Sequence, residues 1–300
     1  MGLTMGVYHT PVLVREVIEF LKCRPGGVYV DCTLGEGGHT EEILKATAPD
    51  GRVIGLDRDL RSIEQARDRL AAFGGRVSLH HENFIHLNTV LDREGIHEVD
   101  GILLDLGVSS AQLEEGERGF SFLKAGPLDM RMDQTKGKTA SELIHHLNEF
   151  ELTRIFQEYG EERWAKRISR VMVQERAKER ITSTSRLTEV ILKAIPKQYH
   201  RYKIHPATRI FQALRIAVNN ELSNLRVAME AAIGRLRSGG VVCIISFHSL
   251  EDRIVKHGFR DRERQGQVTV ITKRPVVAGE EERVLNPRCR SAKLRVAERN

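Results

Sequence analysis

Between Val28 and Asp105 the chain alternates short apolar runs with segments of helical pattern, and this alternation limits the folds available to it. The apolar runs are rich in β-branched and aliphatic residues, as fully buried strands are; they read VYVDCT, GRVIGLD, RVSLHH and DGILLDL. The helical patterns between them include LRSIEQARDRLAAF, for which Asp59 is the expected N-cap. The spacing predicts an α/β fold with a doubly wound, mainly parallel sheet and helices on both faces.

The alternation stops after Ser110 and returns with the apolar run SGGVVCIISF. Residues 113–205 carry helical patterns, and one long helical pattern follows from about Thr208 to Arg237. QVTVITK and AKLRVAER are expected to be the last strands, paired at the sheet edge. We predict a Rossmann-like sheet domain formed by residues 1–112 and 206–300, with residues 113–205 as an inserted all-helical subdomain that recognises the substrate.

Composition narrows the function classes. The 300 residues are 40% hydrophobic and 29% charged, and no stretch approaches the roughly 20 apolar residues of a membrane span. The four cysteines lack metal-ligand spacing, and no secretory signal is evident, so we expect a cytoplasmic protein without a metal. The net charge of +6 favours an anionic partner such as nucleic acid, although a basic enzyme without a polyanion is the alternative.

The loop DCTLGEGGHT, residues 31–40, follows the first predicted strand and is expected to hold a nucleoside cofactor. In doubly wound folds ligands lie beyond the carboxyl ends of the strands, and glycines let the backbone approach them closely. Asp57 ends the next strand, 20 residues beyond Gly37, where a carboxylate suits the ribose hydroxyls. Asp105 ends the fourth strand at the same edge. The alternative is a tight strand-to-helix turn that binds nothing.

The identity of the cofactor follows from details of this loop. The dinucleotide fingerprint requires Gly or Ala where this chain has Thr40, and Glu36 places a negative charge where a pyrophosphate would lie. Both features argue against NAD and favour a cationic, phosphate-free cofactor such as S-adenosylmethionine. Phe84 follows the third strand, where an aromatic side chain packs against an adenine ring or caps the core.

Several long blocks of the sequence are similar to those of one family. HTPVLVREV, DCTLGEGGHT, DGILLDLGVSSAQL, HPATRIFQALRIAVNNEL, ISFHSLEDRIVK and NPRCRSAKLR occur in order between about His9 and Arg295. In these blocks the chain resembles the bacterial ribosomal RNA small-subunit methyltransferase H family, also called MraW. The resemblance implies a class I methyltransferase fold and methyl transfer from S-adenosylmethionine to the exocyclic amine (N4) of a cytidine in the decoding region of 16S ribosomal RNA.

The resemblance also implies which residues contact the cofactor. Gly37, Gly38 and His39 would line its methionine side. Asp57 would bind the ribose hydroxyls and Phe84 would lie against the adenine. The resemblance completes the set with Asp105 and Gln112.

Candidate catalytic residues follow the fourth and fifth strands. Asp105, Ser109 and Ser110 lie in DLGVSS, which lacks the Pro-Pro and aromatic residues of DNA amino-methyltransferases and so argues against a DNA substrate. His248 follows the fifth strand and is expected to contact the target base or its phosphate. The alternatives are loop capping by the serines and, for His248, a helix-start network with acidic neighbours. The sequence identifies no general base.

Two segments combine cations in a way that suits RNA. HRYKIHPATR, residues 200–209, places cations beside an aromatic residue, and NPRCRSAKLR, residues 286–295, contains no acidic residue. Scattered surface charge is the alternative. The predicted RNA contacts are Arg201, Lys203, Arg209, Arg288, Arg290 and Lys293.

Other interpretations stay open at this stage. A nicotinamide oxidoreductase is disfavoured by the loop, and a ribosome-assembly factor would bind RNA without transferring a methyl group. The RNA partner is expected within the small ribosomal subunit, although naked RNA is the alternative. The sequence leaves the oligomeric state open, with a homodimer as one option, and no membrane partner is expected.

Overall fold

The computed structural model describes residues 10–199 and 205–300. The chain divides into two compact units. The sheet unit consists of the chain up to Gly107 together with Leu222–Asn300, and the helical unit consists of Val108–Glu221.

The sheet unit contains a seven-stranded sheet with the order β3-β2-β1-β4-β5-β7-β6. Strands β1 to β5 are parallel, and β7 is antiparallel to both of its neighbours. This order confirms the predicted doubly wound fold and the antiparallel pair at the edge. The strands are β1 Val28–Asp31, β2 Arg52–Asp57, β3 Val77–His81, β4 Val99–Asp105, β5 Leu236–Ser246, β6 Val268–Val270 and β7 Lys293–Arg299.

The helices surround the sheet in one unit and pack on one another in the other. Asp59 caps its helix as predicted, because its side chain accepts a hydrogen bond from the backbone N–H of Arg61. In chain order they are α1 Val14–Phe20, α2 Gly38–Ala46, α3 Leu60–Leu70, α4 Leu87–Arg93, α5 Ser110–Glu114, α6 Ala140–His146, α7 Glu149–Glu158, α8 Ala165–Lys178, α9 Thr184–Ala194, α10 Ala207–Asn219, α11 Glu221–Arg235, α12 Ser249–Arg264 and α13 Glu280–Leu285.

Alternate strand residues divide between two apolar clusters, one on each face of the sheet. Ile54 and Leu104 pack in the cluster that includes residues of α4, α11 and α12, whereas Val53 and Leu103 pack in the cluster that includes residues of α1, α2 and α3. Side chains of a strand point alternately to opposite faces, so each strand anchors both layers of helices. Because β1 to β5 are parallel, their carboxyl ends all lie at one edge of the sheet.

The helical unit has its own apolar core, and α10 is part of it. Ile210, Phe211 and Leu214 of α10 are buried there together with residues of α6 to α9. The compact units therefore meet at 107/108 and 221/222 rather than at the predicted 112/113 and 205/206, and the second boundary shifts because the apolar face of α10 packs on helices of the insertion. The helical pattern predicted from about Thr208 to Arg237 forms two helices, because Asn220 adopts a left-handed conformation with φ of 51° and separates α10 from α11.

Within the described ranges the helical unit contains no strand, as the sequence pattern predicts. Among the helices of residues 10–199 and 205–300, none has the length and apolar character needed to cross a membrane.

Candidate active site

Three carboxylates end three neighbouring parallel strands. Asp31 is the last residue of β1, Asp57 of β2 and Asp105 of β4. Because β1 pairs in parallel with both β2 and β4, the three side chains share the carboxyl edge of the sheet. This edge is where ligands of doubly wound folds bind.

The Asp57 carboxylate is fixed by backbone groups of the glycine loop and of the next helix. Its Oδ2 accepts a hydrogen bond from the N–H of Gly35 at 2.8 Å, and its Oδ1 accepts one from the N–H of Asp59 at 2.8 Å. Burial raises the pKa of Asp57 to about 6, while the two hydrogen bonds act in the opposite direction. The group is therefore mainly ionised at neutral pH, and each oxygen keeps a lone pair for a hydroxyl donor.

Asp31 is buried and forms hydrogen bonds with two residues of the glycine loop. Its Oδ2 accepts a hydrogen bond from the hydroxyl of Thr40 at 2.8 Å, and its Oδ1 accepts one from the N–H of Thr33 at 3.2 Å. Burial raises the pKa of Asp31. Sequence reasoning missed this residue, although an acidic residue at the end of an apolar strand is a signal that could have found it. Thr40 is thus a structural partner at the position where a dinucleotide fingerprint has Gly or Ala.

His39 and Asp105 place unpartnered polar atoms next to each other. The Nε2 of His39 lies 3.5 Å from Oδ2 of Asp105, and the His39 side chain is only 5% exposed. Both ring nitrogens of His39 and Oδ1 of Asp105 are buried, and none has a hydrogen-bond partner among the described residues. Buried polar atoms of this kind cost free energy unless something satisfies them. The pair is therefore a candidate contact for a polar ligand.

Two physical constraints, backbone conformation and close packing, act on the glycines of the loop. Gly35 and Gly37 have φ of 52° and 78°, a conformation that other residues rarely adopt. A Cβ on Gly37 would lie 3.1 Å from Leu70, and one on Gly38 would lie 3.0 Å from Pro11. The space behind Gly37 and Gly38 is thus filled by protein, whereas a Cβ on Gly35 would meet nothing closer than 4.0 Å. Packing alone accounts for the small size of residues 37 and 38, and their cofactor contacts stay predictions.

Phe84 follows β3 and is half-buried. It packs against the apolar cluster that contains residues of β1, β2 and β4. Its exposed part lies on the same unit as the glycine loop, so the predicted adenine contact stays a prediction beside an observed role in the core.

His248 caps α12. Its Nδ1 accepts a hydrogen bond from the N–H of Glu251 at 3.4 Å, and Glu251 in turn accepts the N–H of Phe247 at 2.9 Å. The second ring nitrogen of His248 is buried, lies 3.3 Å from Oε1 of Glu251 and forms no hydrogen bond within the described chain. The helix-start network is thus present, and a role of His248 in catalysis stays a prediction.

Three further predicted site residues, Ser109, Ser110 and Gln112, lie at the start of α5 in the helical unit. Ser109 and Gln112 form a capping box: the Ser109 hydroxyl accepts the N–H of Gln112 at 3.2 Å, and the Gln112 side chain accepts the N–H of Ser109 at 3.1 Å. Ser110 is the first residue of this helix. The capping alternative therefore holds for Ser109, and the catalytic and cofactor roles of these residues stay predictions.

The polar residues of segment 118–132 hold the segment itself in place. Buried Arg118 donates from Nη2 to the carbonyls of Arg131 and Met132 at 3.1 and 3.0 Å. Asp129 and Arg131 form a bidentate pair with distances of 2.8 and 2.9 Å. Asn219 accepts the N–H of Met132 at 2.9 Å and donates to the carbonyl of Met130 at 2.8 Å. These groups are engaged with one another.

The predicted RNA contacts lie in different surroundings. Arg201 and Lys203 fall outside the described residues. Arg209 is exposed and donates to the carbonyl of Glu161 at 3.0 Å, Arg290 is exposed, and Arg288 is half-buried. Lys293 lies 3.7 Å from Asp252 of α12, which therefore supplies the acidic group that the segment lacks. All six RNA contacts stay predictions.

The sequence of the chain matches one family along nearly its whole length. Residues 6–300 match the model of the MraW methylase family. A relative from Geobacter sulfurreducens, named ribosomal RNA small subunit methyltransferase H, is 52% identical and covers 98% of this chain and 100% of its own. A relative of the same name from Halothermothrix orenii is 48% identical and covers 97% of this chain and 98% of its own. The crystal structure of a putative rRNA methylase from Clostridium thermocellum has a TM-score of 0.48 at 12% identity and covers 98% of this chain and 100% of that one. The chain belongs to the MraW methylase family.

Proposed function

We propose that this protein transfers a methyl group from S-adenosylmethionine to N4 of a cytidine in the decoding region of 16S ribosomal RNA, within the small ribosomal subunit and in the cytoplasm. Family membership and the names of relatives at about half identity support methylation of small-subunit ribosomal RNA. The cytidine amine and the decoding region rest on the family resemblance. The helical unit is proposed to recognise the substrate.

The observation that carries the proposal is the set of polar groups at the carboxyl edge of the sheet. The fixed carboxylate of Asp57 suits a pair of ribose hydroxyls. His39 and Asp105 offer buried polar atoms that have no partner among the described residues, as a site for a polar cofactor requires. The residues present therefore fit S-adenosylmethionine, which is the cofactor of this family.

The chemistry asks the protein mainly to position two groups. S-adenosylmethionine supplies a methyl group that its sulfonium has already activated for displacement. The cytosine amine is a weak nucleophile, because its lone pair is delocalised into the ring. We propose that Asp105 accepts a hydrogen bond from this amine, which orients the lone pair and offsets the positive charge that grows on nitrogen. Ser109, Ser110 and His248 are proposed as further acceptors.

A methyl-transfer assay tests the proposal. Radiolabelled S-adenosylmethionine would be mixed with small ribosomal subunits that lack the modification or with naked 16S RNA, and the labelled nucleoside would be identified after digestion. We expect N4-methylcytidine from subunits. Label on another nucleoside would contradict the proposed target. RNA binding without any label, with cofactor binding intact, would favour an assembly factor instead.

A further inference from the structure

A small cavity of about 260 Å³ lies beside α12 in the sheet unit and is lined in part by residues of β6 and β7. We call it the α12–β6 cavity. Its charged lining comes from three parts of the chain: Lys256, Arg260 and Glu263 from α12, Lys273 from the segment after β6, and Arg295 from β7. Four of these five side chains are cationic.

The lining of this cavity carries more positive than negative charge. Arg295 is already paired with Asp252 at 2.6 Å, and Glu263 accepts the backbone N–H of Val270 at 3.0 Å. Lys256, Arg260 and Lys273 have no ion pair and no side-chain hydrogen bond within residues 10–199 and 205–300. Three cations therefore line the cavity without an ion pair among the described side chains, against the single carboxylate of Glu263 in the lining.

This arrangement costs the fold stability. Lys256 and Arg260 are four residues apart on one helix, where like charges repel. Lys256 is half-buried and lines the cavity together with Phe259, although lysines are seldom buried without a partner. An anion in the cavity would relieve both costs.

The place of the cavity relates it to the carboxyl edge of the sheet. In β7, Lys293 lies opposite Ser246 at the end of β5, and Arg295 lies opposite Ile244. Two residues of a strand span about 7 Å, so the cavity begins a short distance from the edge that carries Asp105. A nucleic acid that reaches this edge is therefore within range of the cavity.

We propose that the α12–β6 cavity binds a backbone phosphate of the substrate RNA and positions the RNA on the sheet unit. The inference rests on the proposed function, because that function supplies the RNA. The volume is below the roughly 300–1,000 Å³ of pockets that enclose a whole small-molecule ligand, so it suits a phosphodiester rather than a nucleoside. Contacts to phosphates position a protein on nucleic acid, and they make its affinity depend on salt.

The test compares two triple variants of the full-length protein. The cavity variant is Lys256→Gln, Arg260→Gln and Lys273→Gln. The control variant removes three exposed cations outside the cavity, Arg15→Gln, Arg67→Gln and Arg264→Gln. Binding of a fluorescent RNA fragment of the 16S decoding region is measured by anisotropy over a series of KCl concentrations, and binding of S-adenosylmethionine is measured by calorimetry.

We expect the cavity variant to bind RNA about tenfold or more weakly and to lower the magnitude of the slope of log affinity against log salt by about 0.7–0.9, since one phosphate contact is lost. Its affinity for S-adenosylmethionine and its melting temperature should not fall. The control variant should bind RNA within about twofold of the wild type. If the triple variant unfolds, the single variant Lys273→Gln on the exposed segment should lower the slope by part of that amount.

Other results would overturn the inference. Equal RNA affinity and salt slope in the wild type and the cavity variant would refute it, and methyl transfer by both proteins would show that the proposed function survives. Protection of Lys256 from acetylation by inorganic phosphate, with RNA affinity unchanged in the variant, would assign the cavity to free phosphate and refute the RNA role. Salt-dependent RNA binding lost in the variant, without methyl transfer by the wild type, would support the cavity and refute the enzyme.

Discussion

The polar groups at the carboxyl edge of the sheet differ from those that hold segment 118–132 in the helical unit. Arg118 of this segment and Asn219 of α10 are buried and form hydrogen bonds with backbone groups of the segment. Both ring nitrogens of His39 and Oδ1 of Asp105 are also buried, yet none has a hydrogen-bond partner in the described chain, although Nε2 of His39 lies 3.5 Å from Oδ2 of Asp105. A satisfied network stabilises one conformation, whereas unsatisfied atoms lower stability and gain partners when a ligand binds.

This difference separates two kinds of variant. Changes in the satisfied network should lower the free energy of unfolding and leave the intrinsic affinity for the cofactor unchanged. Changes at the carboxyl edge should lower cofactor affinity or turnover and leave the fold stable. An unchanged free energy of unfolding together with lost function is the result expected for a variant of a binding site.

The largest effect is expected for Asp105→Asn. Removal of the negative charge weakens the acceptor for the target amine, and the loss of such a preorganised contact typically lowers kcat by about 10²–10³-fold. Turnover on small subunits at saturating cofactor measures it. A kcat within about threefold of the wild type would exclude Asp105 from the chemical step.

Asn219→Ala is expected to be the most damaging change to stability. It leaves the N–H of Met132 and the carbonyl of Met130 buried without their side-chain partner, which costs about 2–4 kcal/mol. Urea unfolding followed by circular dichroism gives the free energy. A loss under about 0.5 kcal/mol would show that this network does not hold the segment.

Asp57→Ala should weaken binding of S-adenosylmethionine by about 2–3 kcal/mol, because two charge-assisted hydrogen bonds to the ribose are lost. Calorimetric titration measures the affinity. Asp68→Ala, which removes an exposed carboxylate from α3, is the matched control and should bind as the wild type does. Unchanged affinity in Asp57→Ala would refute the ribose contact.

The pH dependence of cofactor binding should follow Asp57, whose pKa burial raises to about 6. Below that pH, affinity should fall about tenfold per unit, because the ionised form binds the ribose.

Protonation of Asp57 has the opposite effect on the free energy of unfolding. The raised pKa of Asp57 adds stability that is fully present below the unfolded value of 3.8 and is lost as the pH rises through 6. Asp57→Asn should remove this part of both pH dependences. A wild-type affinity that is flat from pH 7 to 5 would contradict it.

The sequence predicted the positions of Asp57 and Asp105 because strand ends are encoded locally. Each follows a buried apolar run, and parallel strands bring their carboxyl ends together. The same local logic predicted the N-cap at Asp59.

Features that depend on packing between distant segments could not be predicted. The assignment of α10 to the helical unit depends on which helices meet its apolar face, and the hydrogen bond from Thr40 to Asp31 depends on the path of the loop. The acidic partner of Lys293 comes from α12, 41 residues earlier in the chain. Local periodicity contains none of this information.

The most direct test of the account is to measure stability and cofactor affinity together in His39→Met, which keeps a large side chain but removes both unpartnered nitrogens. We predict that the free energy of unfolding stays within about 1 kcal/mol of the wild type, because two buried unsatisfied nitrogens are removed together with the 3.5 Å contact to Asp105, while affinity for S-adenosylmethionine falls at least about tenfold. A variant that loses stability but binds the cofactor as tightly as the wild type would contradict the account, since His39 would then be a structural residue rather than part of a binding site.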